Sequence, residues 1–460
     1  MIFNIIMLIC MYPVLPIMYF VLKNLSKPKK NIILGVTLPS AFREDEKVLD
    51  ILSEYKTVLR KAILILAFVP LICFFIPYMS INLTIYMTWL LFVIIVPYLV
   101  YIKYHLKINE IKKENGLLRE EIMATVDTKV AAIQFNKVNK RLFIPPIIFS
   151  ILPIIASINS AFGNENSEYS YVYIIIYSIN AILTISFLPI NQIIYHQRAE
   201  IVDNNSDLTI TLTRIRRRNW SKSLLISAWL TGVFSLLFWW FIQNGLMILI
   251  ITGIYSIILL YYILRVEFKT RAMQEKLTQN SGTDMYIDDD KSWILGLFYY
   301  NPNDKHIMIN DRIGMGTTVN LAKPVGKFLT MLSIICILLM PFIGIWVMVE
   351  EFTPISVKLS NENVTIEHTR KIRTLQFDDI ESIKIINTLP KYYKIIGSSM
   401  DNLLKGTFVA EGYGEVKLYL NPKKAPFILI KTSENTYILG LNDSQKTLEV
   451  YDSIVTLKGN

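Results

Sequence analysis

The residues with the greatest capacity for chemistry gather between Tyr286 and Pro324. Asp288, Asp289 and Asp290 are adjacent carboxylates that would suit a cation, and Gly314-Met315-Gly316 could turn successive backbone N–H groups toward an anion. With them stand Trp293, Gly296, Phe298, Tyr299, Asn301, Pro302, Asp304, Arg312, Asn320 and Pro324. Acid triplets and Gly-x-Gly pairs are common, so turn formation and burial account for the same residues more economically. An aspartate ahead of Trp293–Tyr300 is a natural helix N-cap, which predicts a short helix there. Asn301-Pro302-Asn303-Asp304 would end it as a turn. Ile307–Ile309 and Val319–Leu321 alternate like the strands of a hairpin.

Elsewhere the chemistry is thin. Tyr104-His105 and Tyr195-His196 stand at comparable helix exits, where a pair of pH-sensitive contacts is one reading. A remnant of duplication at a lipid interface, where Tyr is favoured anyway, is the commoner one. No His/Cys/Asp/Glu grouping has metal-ligand spacing. Cys10, Cys73 and Cys336 all lie in apolar runs, which rules out a disulfide framework in an aqueous domain. No catalytic, cofactor-binding or metal-binding residue is assigned, and the chain is expected not to be an enzyme.

The elements that must position these residues are set by hydropathy. The 460-residue chain is 53% hydrophobic and only 18% charged, with a mean hydropathy of +0.41. A soluble domain carries about 25% charged residues. Its apolar residues fall in runs of spanning length, about 20 residues each. Eight are expected: Ile2–Leu22, Ala62–Tyr78, Leu83–Tyr101, Leu142–Ala161, Tyr171–Ile193, Ser223–Phe241, Leu246–Ile263 and Phe328–Val349. The first is followed rather than preceded by lysines, which argues for an uncleaved anchor over a signal peptide. Between the first two spans, Val48, Leu52, Tyr55 and Leu59 mark one face of a helix expected along the cytoplasmic surface.

Lys and Arg concentrate in alternate loops, so the positive-inside bias puts the N-terminus and the C-terminal module outside. The net charge of +10 then reflects this bias and attraction to anionic headgroups; no basic motif points to nucleic acid. Spans beginning near residues 62, 142 and 222, about 80 apart, suggest a duplicated helical hairpin with polar extensions. Short strand-like pieces are expected between units at Val130–Phe135 and Leu208–Leu212. The centres of the spans hold no ionisable residue, which disfavours ion-coupled transport. Their many prolines should kink most of them.

The pattern Trp293, Gly296, Phe298-Tyr299, Asn301-Pro302 and Asp304, then Arg312, Gly314, Gly316, Thr318, Asn320 and Pro324, resembles a small domain of unknown function in bacterial multi-pass membrane proteins. Gly35-Val36-Thr37-Leu38-Pro39, with Arg43, Val48 and Tyr55, is similar to the loop after the first span in those proteins. A more distant similarity reaches immunity and signalling proteins for a secreted killing factor. The resemblance implies a cytoplasmic placement of the small domain and brings no catalytic residue.

After the last span the chain alternates in strands: Ser356–Leu359, Val364–His368, Arg373–Phe377, Ile380–Ile386, Thr407–Val409, Val416–Leu420, Phe427–Lys431 and Thr436–Leu439. Asn442-Asp443-Ser444 then caps a helix with Leu448, Tyr451, Ile454 and Val455 inward. Serial strands closed by one helix imply a curved sheet or partly open barrel. Leu375–Ile383 and the closing helix resemble the bacterial pleckstrin-homology-like domain. Its lysines, Lys391, Lys394, Lys405, Lys423 and Lys424, are interspersed with acids, unlike a phosphoinositide pocket.

The expected architecture is a polytopic α-helical membrane protein with a small cytoplasmic α+β cap and a C-terminal PH-like β-rich domain. Its parts are residues 1–264 (seven spans and loops), 265–326 (the domain of unknown function), 327–350 (the last span) and 351–460 (the PH-like domain). The expected function is non-enzymatic sensing, binding or immunity at the cell membrane, with the bilayer and a protein or peptide as partners. The alternative is a transporter or channel for a small uncharged or lipidic solute.

Overall fold

The computed structural model describes residues 2–27, 32–39, 42, 44–117, 138–163, 167–195, 206–242, 244–278, 289–311, 317–369 and 371–459. Among the described residues, eight helical stretches are long and apolar enough to cross a membrane, and they coincide with the eight expected spans. The chain is a polytopic α-helical membrane protein. It divides into two compact units, one of Met1–Met18, Arg60–Pro97 and Ile334–Asn460, the other of Tyr19–Leu59 and Tyr98–Ser333.

The first span is α1 (Ile2–Met11) and α2 (Val14–Asn24), broken at Tyr12-Pro13 where proline cannot sustain a helix hydrogen bond. Helix α3 (Glu46–Phe68) runs unbroken from the polar segment into the second span. It is an extension of that span and not a separate surface helix. The expected face, Val48, Leu52, Tyr55 and Leu59, is buried. Helix α4 (Met79–Glu114) is 36 residues long and carries its polar continuation without a break.

In the first unit, Leu15, Leu66, Trp89 and Val93 form a buried apolar cluster. The Trp89 indole there donates to the Leu66 carbonyl at 2.7 Å. The last span, α9 (Pro324–Phe352), packs its Gly344 so near Thr84 that a Cβ would fall 2.5 Å from the Thr84 Cα. Small residues let membrane helices approach in this way.

In the second unit, α5 (Ile144–Gly163), α6 (Ser167–Tyr195), α7 (Ser206–Trp240) and α8 (Gly245–Thr278) pack together. Leu208–Leu212, expected as strand, lies inside α7. Its alternation is overridden by continuity with the long helix that follows; Val130–Phe135 falls outside the described residues. The interior face of α7 carries buried Ser223, Ser227, Thr231 and Ser235. Gly232 on the same helix meets Pro146 with no room for a Cβ, which makes this a close-packed seam. Polar ties finish it: Thr231 to Tyr255 at 2.9 Å and Trp220 to Glu267 at 3.0 Å.

The C-terminal domain has two sheets. β7 (Ser356–Leu359), β8 (Asn363–His368) and β9 (Lys371–Gln376) form an antiparallel three-stranded sheet. The second contains β10 (Ile380–Ile386), β11 (Tyr392–Ser399), β12 (Leu404–Ala410), β13 (Gly414–Leu420), β14 (Phe427–Thr432) and β15 (Thr436–Leu439). Its order is β10-β14-β15-β13-β12-β11, antiparallel except for β13 against β15. Alternation sends Phe427 and Leu429 into one core and Ile428 and Ile430 into the other, so both faces of this sheet are buried.

The closing helix α10 (Ser444–Gly459) is capped by Asp443, whose carboxylate accepts from the Gln445 amide at 2.9 Å. Its expected inward face is met by Tyr451 and Ile454 and missed by Leu448 and Val455. Ile454 is buried with Thr447, while Leu448 and Val455 face outward. Val450, Tyr451 and Leu457 complete the inward stripe at helical spacing.

Candidate functional site

The cap is built on two hairpins with one local sequence. Ile33-Leu34-Gly35 joins β1 (Ile32–Ile33) to β2 (Val36–Thr37), and Ile294-Leu295-Gly296 joins β3 (Trp293–Ile294) to β4 (Phe298–Tyr299). Leu34 and Gly35 have φ of 45° and 76°, and Leu295 and Gly296 have 53° and 66°. Two consecutive positive values are the mark of tight hairpin turns of the primed type. Leucine adopts such a conformation only at a cost of about 1–3 kcal/mol.

Helix α4 supplies what holds both turns. The Tyr101 hydroxyl lies 3.2 Å from the Leu34 carbonyl and 3.3 Å from the Leu295 carbonyl. His105 Nδ1 donates to the Leu34 carbonyl at 2.8 Å. A Cβ on Gly296 would stand 2.6 Å from the Tyr101 hydroxyl and 3.1 Å from the Gly35 Cα. The two turns therefore meet at their glycines over the Tyr101–His105 face. His105 is thus a turn anchor; His196, its expected counterpart, lies outside the described residues.

The aspartates serve the same assembly. Asp290 accepts from the Thr37 amide at 3.1 Å, the Thr37 hydroxyl at 2.6 Å and the Lys112 ammonium at 2.7 Å. Asp289 accepts from the Trp293 indole at 3.2 Å. Two of the three carboxylates are thus engaged by protein donors, and Asp288 lies outside the described residues. The predicted helix over Trp293–Tyr300 is replaced by a short 3-10 turn, Asp290–Ser292, and the β3–β4 hairpin. The glycine turn wins because eight residues make few helical hydrogen bonds, whereas the hairpin buries Trp293 against Tyr299, ring centroids 5.2 Å apart.

The rest of the motif closes around Asn320, which is fully buried. Its side chain donates to the Asn301 carbonyl at 2.8 Å and accepts from the Asn301 amide at 3.1 Å and the Ala322 amide at 3.0 Å. Asn301 turns the chain through Pro302 by accepting from the Asn303 amide at 2.9 Å. Asp304 accepts from the Tyr299 hydroxyl at 3.1 Å. β5 (Met308–Asn310) and β6 (Thr317–Val319) form the expected hairpin with shifted strands, the first one residue later and the second two residues earlier than expected, and Thr318 lies opposite Ile309. Pro324 opens α9, where its fixed φ suits a first helical turn. Phe298 points outward, and Arg312, Gly314 and Gly316, with any anion nest there, fall outside the described residues.

Tyr101 and Lys112 were absent from the expected set, and Gly35 and Thr37 stood out only within the separate segment Gly35–Pro39. The two turns share Ile-Leu-Gly, but the same tripeptide recurs at Ile438-Leu439-Gly440 at the end of β15, and no local signal marks Tyr101 or Lys112.

The C-terminal domain has a second polar constellation at its junction with the spans. Asp401 accepts from the Met79 amide at 3.0 Å, and Glu351 from the amides of Ser80 at 3.3 Å and Asn402 at 3.2 Å. Two carboxylates thus cap the first turn of α4, where negative charge suits the helix dipole. Beside them, Glu350 accepts from Lys405 and from the Ser398 hydroxyl, each at 3.2 Å. Lys423 reaches Asn402 at 3.3 Å and covers the Tyr78 ring. The free edge of the large sheet, β11, is blunted by Pro390, Lys391, Lys394 and a bulge near Ile395.

Two regions match family models. Residues 302–327 match a family of unknown function (DUF5808), and residues 355–452 match the bacterial PH domain. The class is therefore a multi-pass helical membrane protein carrying a C-terminal bacterial PH domain. No curated protein and no solved structure matches the chain.

Proposed function

We propose that this is a non-enzymatic sensing or binding protein of the cell membrane, with an immunity-like role, whose PH domain is its protein-interaction module. The observation that carries this reading is the fate of Lys405. Its ammonium is buried against Glu350 and His368. Lys423 is held at Tyr78, Lys394 lies on β11 and Lys391 immediately precedes that strand. The lysines are thus distributed over separate elements, whereas a headgroup pocket needs them to converge. Exposed Tyr393 and Ile395 beside Lys394 offer side chains to a protein or peptide partner.

The basic loops support an inward-facing cap and an outward-facing N-terminus and PH domain. The reading is tested by crosslinking the full chain and a variant lacking residues 355–460 in their native membrane. Loss of specific partners with unchanged insertion supports it; the same partners in both contradict it.

A further inference from the structure

We propose that His368, Lys405 and Glu350 form an acid-sensitive latch that fastens the PH domain to the end of α9 and loosens when the His368 ring gains a second proton. This stands independently of what the domain binds. The geometry is directional. Lys405 Nζ, which can only donate, lies 3.0 Å from His368 Nδ1, so that nitrogen is the acceptor and carries no hydrogen. The ring hydrogen is then on Nε2, which donates to the Thr353 carbonyl at 3.1 Å, just past the end of α9. One neutral tautomer thus links β8, β12 and the exit of the last span.

Each neighbouring element contributes a defined group. From α9 comes the Glu350 carboxylate, 3.2 Å from Lys405. From the β8–β9 turn comes the Thr369 hydroxyl, 3.3 Å from Lys405, and from β11 the Ser398 hydroxyl on Glu350. Among the described residues, Lys405 and Glu350 are the charged groups that act on the ring. His368 and Lys405 are both buried. A proton on Nδ1 removes the acceptor and sets two cations against each other, with Glu350 as their shared counter-charge. Burial first, and the Lys405 charge second, hold the docked imidazole below its usual value of 6.5. The released ring titrates near that ordinary value, so acid favours release.

The device also has a lever. Glu350 is followed by Glu351, whose carboxylate spans Ser80 on α4 and Asn402 on the β11–β12 turn. Opening the first contact frees the helix end that carries the second.

Hydrogen–deuterium exchange on the full chain in lipid nanodiscs tests the latch, with rates corrected for intrinsic pH dependence. Between about pH 7.5 and about pH 5, exchange across residues 398–405 should rise about tenfold or more while β14 stays protected. His368→Gln can accept from Lys405 and donate to Thr353 without titrating, and should abolish that rise. In Lys405→Met the rise should shrink, because the opposing cation is gone. Unchanged exchange in the native chain overturns the proposal. So does an equal rise in His368→Gln, which would assign the effect to carboxylates, or a simultaneous loss of protection in β14, which would indicate general unfolding.

Discussion

The Lys112 ammonium stands 2.7 Å from the Asp290 carboxylate, with 1% of its side chain exposed. This pair joins the last turns of α4 to the 3-10 turn that precedes Trp293. The same carboxylate holds the backbone and hydroxyl of Thr37, so one aspartate fastens both hairpins of the cap.

Removing one partner of this pair deprives the other of its counter-charge. Lys112→Met or Asp290→Asn should each destabilise the cap by about 3–5 kcal/mol, while a double apolar replacement should lose less than the sum. Thermal unfolding in detergent, read at Trp293 and by protease access to the cap, checks this. Additive losses would show that the two groups act separately.

Gly296 combines a positive φ with a clash, whereas Gly116 has a similar φ of +63° and open space. Gly116→Ala should cost about 1 kcal/mol from backbone strain alone. Gly296→Ala should cost clearly more, since Tyr101 must give up its place over both leucine carbonyls. Equal losses would mean that the Tyr101 contact is adaptable.

Little of that assembly was legible in the sequence. The special residues from Trp293 to Pro324 stood out, and Asn301-Pro302 correctly marked a turn. Their common partner was not, because Tyr101, His105 and Lys112 belong to a helix nearly two hundred residues earlier, and their spacing reads as an ordinary helix face. Spans were easier, since twenty apolar residues in lipid must be helical to satisfy their backbone. β11 escaped notice because an exposed edge strand with a bulge and Gly397 shows no alternation. On α10, Tyr451 and Ile454 were read correctly, but Leu448 and Val455 were misplaced because they look apolar enough to be core, yet Thr447 takes the inward place by accepting from the Leu441 amide.

Glu351 should matter through its two backbone contacts. Glu351→Ala strands the Ser80 and Asn402 amides and should cost about 1–3 kcal/mol, whereas Glu351→Gln, keeping an acceptor oxygen, should cost less. Thermal unfolding of the full chain distinguishes them. An alanine variant as stable as the native chain would show that water replaces the carboxylate.

His368 makes a signed prediction for stability. Its docked pKa is lowered, so its contribution is fully present above its ordinary 6.5 and is lost as pH falls through the depressed value. The melting temperature of the native chain should therefore drop more than that of His368→Gln between about pH 7.5 and about pH 5. Parallel curves would contradict this.

The most direct test of the account is where the PH domain faces. With Cys10, Cys73 and Cys336 replaced, Ser453→Cys on α10 and Lys305→Cys in the cap offer exposed reporters for a membrane-impermeant maleimide. The proposed topology predicts labelling of the Ser453 position on intact cells, and of the Lys305 position only after permeabilisation. Labelling of both positions under the same condition would contradict it.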